Sequence, residues 1–308
     1  MNSVTVVGSI NIDLISYLDR WPEIGETIKV RETSSSLGGK GANQAVAASR
    51  LGANVTLIGA VGSDGFGQEA KEHLRNSGVQ VRVDEVPDVT TGLAFIDVGP
   101  DGDNMIRLSS GANSAASSVL IAFHAEAIRN SDVVLLQNEI GLPASLEAAR
   151  LAREAGRLVV MDPAPAPAPA WDRKVFACFD ILTPNAQEAG ILVGNQPTTL
   201  TEAQQAAQTL RGLGLRGVIV TMGEKGAAWS FDGTSGVLPA LDVQSIDTVA
   251  AGDCFNGALA TQLAKGNPMD EAVAFAMRAA ALATTRKGAS DSLPTLSELE
   301  EFHTPVFA

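Results

Sequence analysis

The sequence is poor in residues that mark several common chemistries. Two cysteines in 308 residues, Cys178 and Cys254, are too few for a disulfide scaffold and fit a reducing compartment. The three histidines, His73, His124 and His303, stand far apart, without metal-ligand or triad spacing. Aromatic residues make up 5% of the chain. Trp21, Trp171 and Trp229 have no basic neighbours in a pattern on which nucleic-acid bases would stack. Positive charge is also scarce: 22 Lys and Arg against 35 Asp and Glu give a formal net charge of −13. Such a surface repels a phosphate backbone and argues against nucleic acid as a principal partner. A small anion is still admissible, because a few backbone N–H groups and one lysine make a local positive pocket. No apolar run is long enough to span a bilayer, and the best stretch, Ala272–Ala283, is broken by Arg278. No basic segment followed by an apolar one opens the chain. These absences point to a soluble, cytoplasmic protein with neither membrane nor nucleic acid as partner.

What is present is a large apolar complement, 45% of residues against 19% charged, enough for a substantial core. The apolar segments alternate in kind. Val4–Ile10 reads as a buried strand and Gly41–Leu51 as a helix closed by Gly52. Val55–Val61 returns to strand, and Phe66–Asn76 to helix with Gly78 after it. Val133–Gln137, Pro143–Ala155 and Leu158–Met161 repeat the rhythm, and Asp180–Leu182 and Val218–Met222 read as further strands. This pattern predicts an α/β fold, a mainly parallel central sheet covered by helices on both faces. Two stretches interrupt it. Ile28–Ser36 is polar and extended, and Leu93–Val98 with Met105–Ser109 flank a Gly-Pro-Asp-Gly-Asp turn and read as a hairpin. They read as an excursion from the main sheet, a lid or dimer surface, rather than as added edge strands. Pro163–Ala170 alternates proline and alanine. It reads as an extended loop inside one domain, because the strand–helix rhythm continues on both sides.

Four glycine- or acid-bearing stretches carry the chemistry. Gly38-Gly39-Lys40-Gly41-Ala42-Asn43 opens the first long helix, where backbone can approach a ligand and the helix N-terminus favours oxygen or negative charge. It lacks the spacing of a Walker A loop. Gly65-Phe66-Gly67-Gln68-Glu69-Ala70 fits a loose dinucleotide pattern, but the loop before it is too long for a Rossmann turn. Asn185 and Glu188 lie three residues apart after a strand. They are either a capping box or, on one helical turn, a pair facing a hydrated Mg²⁺. Asp247-Thr248-Val249-Ala250-Ala251-Gly252-Asp253 precedes a helix from Cys254 to Lys265. Its small residues leave the N–H groups of Ala250, Ala251 and Gly252 free to form an anion hole, beside which Asp253 can take a proton from a hydroxyl.

Together these stretches resemble the ribokinase (PfkB) family of carbohydrate kinases, from the start of the chain to about Pro294. The first family signature resembles Leu37–Ala60, the second Asp247–Ala260; Asp162-Pro163-Ala164-Pro165-Ala166 and Thr285-Arg286-Lys287-Gly288-Ala289 add to the likeness. The resemblance implies a three-layer ribokinase-like sandwich in a single domain over 1–308. Small-sheet lid segments are implied near 11–36 and 92–110, often forming a homodimer contact. It implies sugar contacts at Asn11, Asp13, Gly39, Lys40, Asn43 and Glu139, and a catalytic base at Asp253. It implies ATP contacts at Asn185, Gly252, Met277 and the loop Thr221, Met222, Gly223, Glu224, Lys225 and Gly226, with Glu188 serving Mg²⁺ through water. It further implies an activating K⁺ held by Asp247, Val249, Ala283, Arg286, Gly288 and Ser292; the alternative is that Asp247 pairs with Arg286 or Lys287. Cys254 and Met277 depart from the family pattern, and Cys254 reads as an inert, packed thiol.

The expected activity is ATP-dependent phosphorylation of the 5-hydroxyl of D-ribose. Its rivals are a kinase for another sugar or nucleoside, such as fructose, deoxyribose or pseudouridine, and a non-catalytic sugar-responsive protein on the same fold. The polar character of the expected sugar contacts favours a bare sugar over a stacked base, and Asp253 favours an enzyme over a binder.

Overall fold

The computed structural model describes residues 2–302. Its strands are β1 (Ser3–Val7), β2 (Asn11–Tyr17), β3 (Glu32–Gly38), β4 (Asn54–Gly62), β5 (Gln80–Val86), β6 (Gly92–Val98) and β7 (Asn104–Ser109). They continue with β8 (Val133–Gln137), β9 (Leu158–Asp162), β10 (Ile181–Leu182), β11 (Gly217–Thr221), β12 (Ala227–Phe231) and β13 (Thr234–Leu238). Nine form one sheet in the order β13-β12-β11-β10-β9-β8-β1-β4-β5, and four form a second in the order β3-β2-β6-β7.

The large sheet is parallel from β5 to β11, and β12 runs antiparallel to both its neighbours. Its centre is apolar on both faces. All five residues of β8, VVLLQ, are buried, as a strand sandwiched between helices requires. Val133 and Leu135 face a core with the helices Lys40–Arg50, Ala251–Ala264 and Met269–Thr284. Val134 and Leu136 face the opposite core, with Leu142–Glu154 and Leu200–Arg211. Burial of each such side chain contributes about 1.5–3 kcal/mol.

The predicted rhythm is present, with shifts that have local causes. β1 ends at Val7 rather than Ile10. A side chain at Gly8 would come within 1.8 Å of Gln137 Oε1 and 2.9 Å of Gly41 Cα. The chain therefore leaves the large sheet there and enters the small one as β2, a strand the rhythm did not indicate. The helix expected from Cys254 starts at Ala251. Leu51 is the C-cap of the first helix, and Gly52 follows it at φ +91°, the left-handed position that glycine tolerates. In the polar stretch 28–36 the strand begins only at Glu32 and runs to Gly38. The hairpin is present, β6 and β7 pairing antiparallel from Leu93↔Ser109 to Val98↔Asn104. The proline–alanine repeat is a loop, and β9 and β10 on either side of it pair directly.

The small sheet differs in character. β2 lies between β3, antiparallel, and β6, parallel, with Asn11 in register with both Gly38 and Gly92. All six residues of β7 are exposed, Met105, Ile106 and Leu108 among them. Among the described residues no helix is long and apolar enough to cross a membrane.

Candidate active site at the seam of the sheets

In a parallel sheet ligands collect beyond the carboxyl ends of the strands, where the strand order reverses. Here β1 is central, with β4 and β5 on one side and β8 to β11 on the other. The carboxyl ends deliver Ser9 after β1, Glu139 after β8, Asp162 on β9, Asn185 after β10 and Thr221 on β11. Above them stand the N-termini of two helices, Lys40–Arg50 and Ala251–Ala264.

The first helix begins at Gly39, at φ +86° and with no side-chain cap. A Cβ there would lie 2.8 Å from the Asn11 backbone nitrogen and 3.0 Å from Ser9 O, so glycine is required on both counts. Glu139 takes over the capping. Its Oε2 accepts from the Lys40 backbone N–H at 3.1 Å and from the Ser9 hydroxyl at 2.6 Å. The small sheet supplies Asn11 and Asp13, both nearly buried. Asn113 orients Asn11: its Nδ2 donates to Asn11 Oδ1 at 2.8 Å and to Ile10 O at 3.1 Å, while its Oδ1 accepts from Ile10 N at 2.9 Å. Bound by its oxygen, the Asn11 amide has its N–H groups left for a ligand. Burial, then the charges of Glu139 and Asp253, push the Asp13 carboxyl up from 3.8 to about 7.

Asp253 is buried in the first turn of its helix. Its Oδ2 accepts from Asn43 Nδ2 at 3.0 Å and its Oδ1 from Gln44 Nε2 at 3.1 Å. Asn43 Oδ1 is buried with no partner, an acceptor left for a hydroxyl donor. Burial raises the Asp253 carboxyl above the usual range, while Lys40 and the two amides restrain it. Lys40 carries the complementary effect: Asp253 foremost, then Asp162, Glu139 and Glu188, holds its ammonium above the usual lysine value. It remains a cation among four carboxylates.

The helix of Asp253 has as its N-cap Ala250, a non-glycine residue at φ +59°, a strained conformation of the kind concentrated at functional sites. Ala251 departs from the expected donor set. Its N–H is taken by Thr248 O at 3.2 Å in a turn, and it does not line the cleft. Ala250 and Gly252 do line it, and among the described residues their N–H groups have no hydrogen-bond partner.

Ala250 and Gly252 border a cleft of about 220 Å³ that is also lined by Lys40, Asp162, Asn185, Glu188, Thr221, Thr248 and Asp253. Asn185 and Glu188 do form a capping box, with bonds of 2.9 Å each way. The same two residues also line the cleft. Burial raises the Glu188 carboxyl, opposed by the Asn185 N–H and Lys40.

Several expected residues are not among those lining this cleft: of the expected sugar contacts only Lys40 lines it together with Asp253, while Asn11, Asp13, Gly39, Asn43 and Glu139 do not. Met277 packs in the apolar core. In the loop after β11, Met222 is buried, Gly226 is fixed by a Cβ clash of 2.0 Å with Leu238 O, and Lys225 Nζ donates to Thr198 O at 2.8 Å. Asp247 bonds neither Arg286 nor Lys287. Its oxygens accept from Val249 N and Gly288 N, both at 3.0 Å, and Arg286 pairs with Glu298 at 2.9 Å. Ser292 Oγ donates to Ala289 O, and Ser290 Oγ in the same turn is buried without a partner. Among the described residues no cluster of three or more His, Cys, Asp or Glu could hold a metal. His124 sits 3.3 Å from Asp84, His73 lies in the last turn of the helix Gly65–Asn76, and His303 lies outside the described residues. Thr183 and Asn256, joined at 2.7 Å, also line the cleft; they and Asn113 carry no sequence signal beyond being polar residues near predicted element ends.

The chain matches the pfkB family carbohydrate kinase pattern over residues 1–296. It is 40% identical over 301 residues to the ribokinase of Haemophilus influenzae, covering 97% of this chain and 98% of that one. It is 34% identical over 300 residues to the deoxyribokinase of Salmonella typhi, covering 97% and 98%. Arabidopsis thaliana ribokinase complexed with ribose and ATP superposes with a TM-score of 0.89 at 31% identity, with 97% of each chain covered.

Proposed function

The chain belongs to the pfkB family of carbohydrate kinases, and from that footing we propose that it phosphorylates D-ribose at the 5-hydroxyl with ATP. The observation that carries the chemistry is Asp253: a buried carboxylate in the first turn of a helix, beside open N–H groups.

Asn11, Asp13, Asn43 and Glu139 hold the sugar hydroxyls, and Asp253 takes the proton of the attacking hydroxyl as it approaches the γ-phosphate in line. Burial makes Asp253 a stronger base than a surface aspartate. The N–H groups of Ala250 and Gly252, aided by the helix dipole, meet the charge on the transferring phosphoryl group. Lys40 adds a fixed positive charge. Asn185 and the Thr221–Gly226 loop, with Met222, Gly223, Glu224 and Lys225, lie on the nucleotide side. Closure of the small sheet over the sugar excludes water and limits idle ATP hydrolysis. The exposed apolar residues of β7 suit that sheet to a homodimer contact.

Mg²⁺ fits the oxygen donors of the cleft, with Glu188 orienting its water shell; when bound, the ion neutralises phosphate charge. K⁺ fits the turn joining Asp247 and Val249 to Ala283, Arg286, Gly288 and Ser292. The oxygens there are hard donors, and Ser290 Oγ is an unpartnered buried one. The acidic composition argues against nucleic acid as a partner, and the enzyme is proposed to work in the cytoplasm.

Ribose is preferred to deoxyribose because a polar pocket loses more when a hydroxyl it binds is missing than an apolar pocket gains. A coupled ADP-release assay across ribose, deoxyribose, fructose and adenosine tests this. The highest kcat/KM is expected for ribose. A higher value for deoxyribose would reassign the sugar, and no ADP release with any acceptor would remove the activity.

A further inference from the structure

One buried polar chain is not explained by sugar or nucleotide contact. Gln44 and Gln137 are both wholly buried, and neither lines the cleft. Gln137 Nε2 donates to Gln44 Oε1 at 2.6 Å. Gln44 Nε2 then donates twice, to Asp162 Oδ2 at 2.8 Å and to Asp253 Oδ1 at 3.1 Å. The amide of Gln44 is thus fully used: its oxygen is occupied and each N–H is given to a different carboxylate. With both carboxylates ionised this orientation is the favoured one, because turning it over would set its oxygen against two carboxylate oxygens. Gln137 Oε1, by contrast, is buried without a partner, and it lies where glycine at position 8 leaves room for it. Native proteins keep few such unmade bonds. Here the arrangement leaves an acceptor unmatched at Gln137 while every bond of the Gln44 amide is made.

We propose that Gln44, locked by Gln137, is the positioning residue of the general base: it holds Asp253 Oδ1 toward the core. Oδ2 is then left beside Asn43 to meet the attacking hydroxyl. This rests on the reading of Asp253 as the base of a sugar kinase and deepens it. Gln44 is wholly buried and its amide has no hydrogen-bonding group left for sugar or ATP, so its effect is expected on the reaction step. A misplacement of ~1 Å in a reacting group can cost about 10²-fold in rate. Gln44 also donates to the ionised form of Asp253 and lowers its proton affinity. The other charged groups acting on Asp253 are Lys40, which favours ionisation, and Glu139, Asp13 and Asp162, which oppose it.

The test uses Gln44→Met, Gln137→Met and the double variant in the full chain, with kcat and KM for ribose and ATP measured across pH. Gln44→Met is expected to lower kcat by about 10–100-fold, with both KM values within about threefold of the parent. The acid limb of kcat should move to higher pH, because the base has lost a donor. Gln137→Met should do the same to a smaller degree. The double variant should be no slower than Gln44→Met, since both act through one bond to Asp253. Thermal midpoint and ADP binding serve as controls for folding. Should Gln44→Met not fold, Gln137→Met decides alone, by the same fall in kcat and shift of the acid limb. A normal kcat, a loss confined to KM, an unmoved acid limb or additive losses would overturn the proposal. A parent enzyme inactive on every sugar would instead overturn the functional reading on which it stands.

Discussion

The two sheets of this protein solve opposite problems. The large one is closed to water on both faces, and its central strands are made almost wholly of aliphatic residues. The small one keeps β7 and most of β3 in the open. Such a layer gains little from burial and is held mainly by its hydrogen-bond ladders, so its position can change at low cost. The proposed site divides along the same line. The groups proposed for phosphoryl transfer, Asp253, Glu188 and the Ala250–Gly252 turn, belong to the body built on the large sheet. Asn11 and Asp13, assigned to the sugar, belong to the small sheet. Phosphoryl transfer is thus proposed for the body alone, while the proposed sugar contacts are shared between the body, through Asn43 and Glu139, and the small sheet, through Asn11 and Asp13.

The sharpest way to break this division is Asp253→Asn. Removing the base should lower kcat by roughly 10²–10⁴-fold, with ribose affinity, read by calorimetry, much less affected. Near-normal turnover of the folded variant would mean that the body does not hold the base.

A second experiment tests whether the body needs an ion to keep its anion hole in shape. Replacing K⁺ by tetramethylammonium at constant ionic strength should slow turnover several-fold, a barrier change of about 1 kcal/mol. Equal initial rates in the two salts would show that the direct bonds from Asp247 to Val249 and Gly288 suffice without a cation.

The smallest effect belongs to the small sheet. Asp13 has a carboxyl pushed up from 3.8 to about 7. Between those values the folded protein keeps a proton that the unfolded chain has lost, so Asp13 makes stability fall as pH rises through that window. Asp13→Asn should therefore raise the thermal midpoint at pH 8 and have little effect near pH 4. For the parent enzyme, KM for ribose should rise as pH falls below about 7, where the carboxylate loses an acceptor site on protonation. A pH-independent midpoint difference would place Asp13 in a more solvated setting than its burial indicates.

The contrast between the sheets also explains what could be read from sequence. Buried parallel strands such as Val133–Gln137 announce themselves as continuous apolar runs, and the glycine-rich helix starts as local spacing. β2 was harder: Asn11–Tyr17 mixes Asn, Asp and Ser with aliphatics and follows β1 after only a three-residue turn. The role of Asn113 is not local at all, since it lies 102 residues from the Asn11 side chain it orients. The Ala251 N–H was misjudged because only the turn geometry reveals that Thr248 O already holds it. The thiol of Cys254 was legible. It is wholly buried, and burial with the adjacent Asp253 pushes its ionisation far above the ordinary range.

The row Gly38–Asn11–Gly92 at the root of the small sheet has a mechanical meaning. At both glycines a Cβ would collide, with Asp13 Oδ1 at 2.1 Å for Gly38 and with Asn11 Oδ1 at 2.2 Å for Gly92. Three strands cross into the small sheet along one line, as leaves meet along the pin of a door. A panel attached at three collinear points cannot twist or slide freely; it can swing about the line through them. Asn11 sits on that pin and Asp13 two residues out along the panel. A swing about that line would carry Asp13 through an arc and leave Asn11 nearly still. Of these two residues proposed to hold the sugar, Asn11 would be the fixed reference and Asp13 the moving jaw.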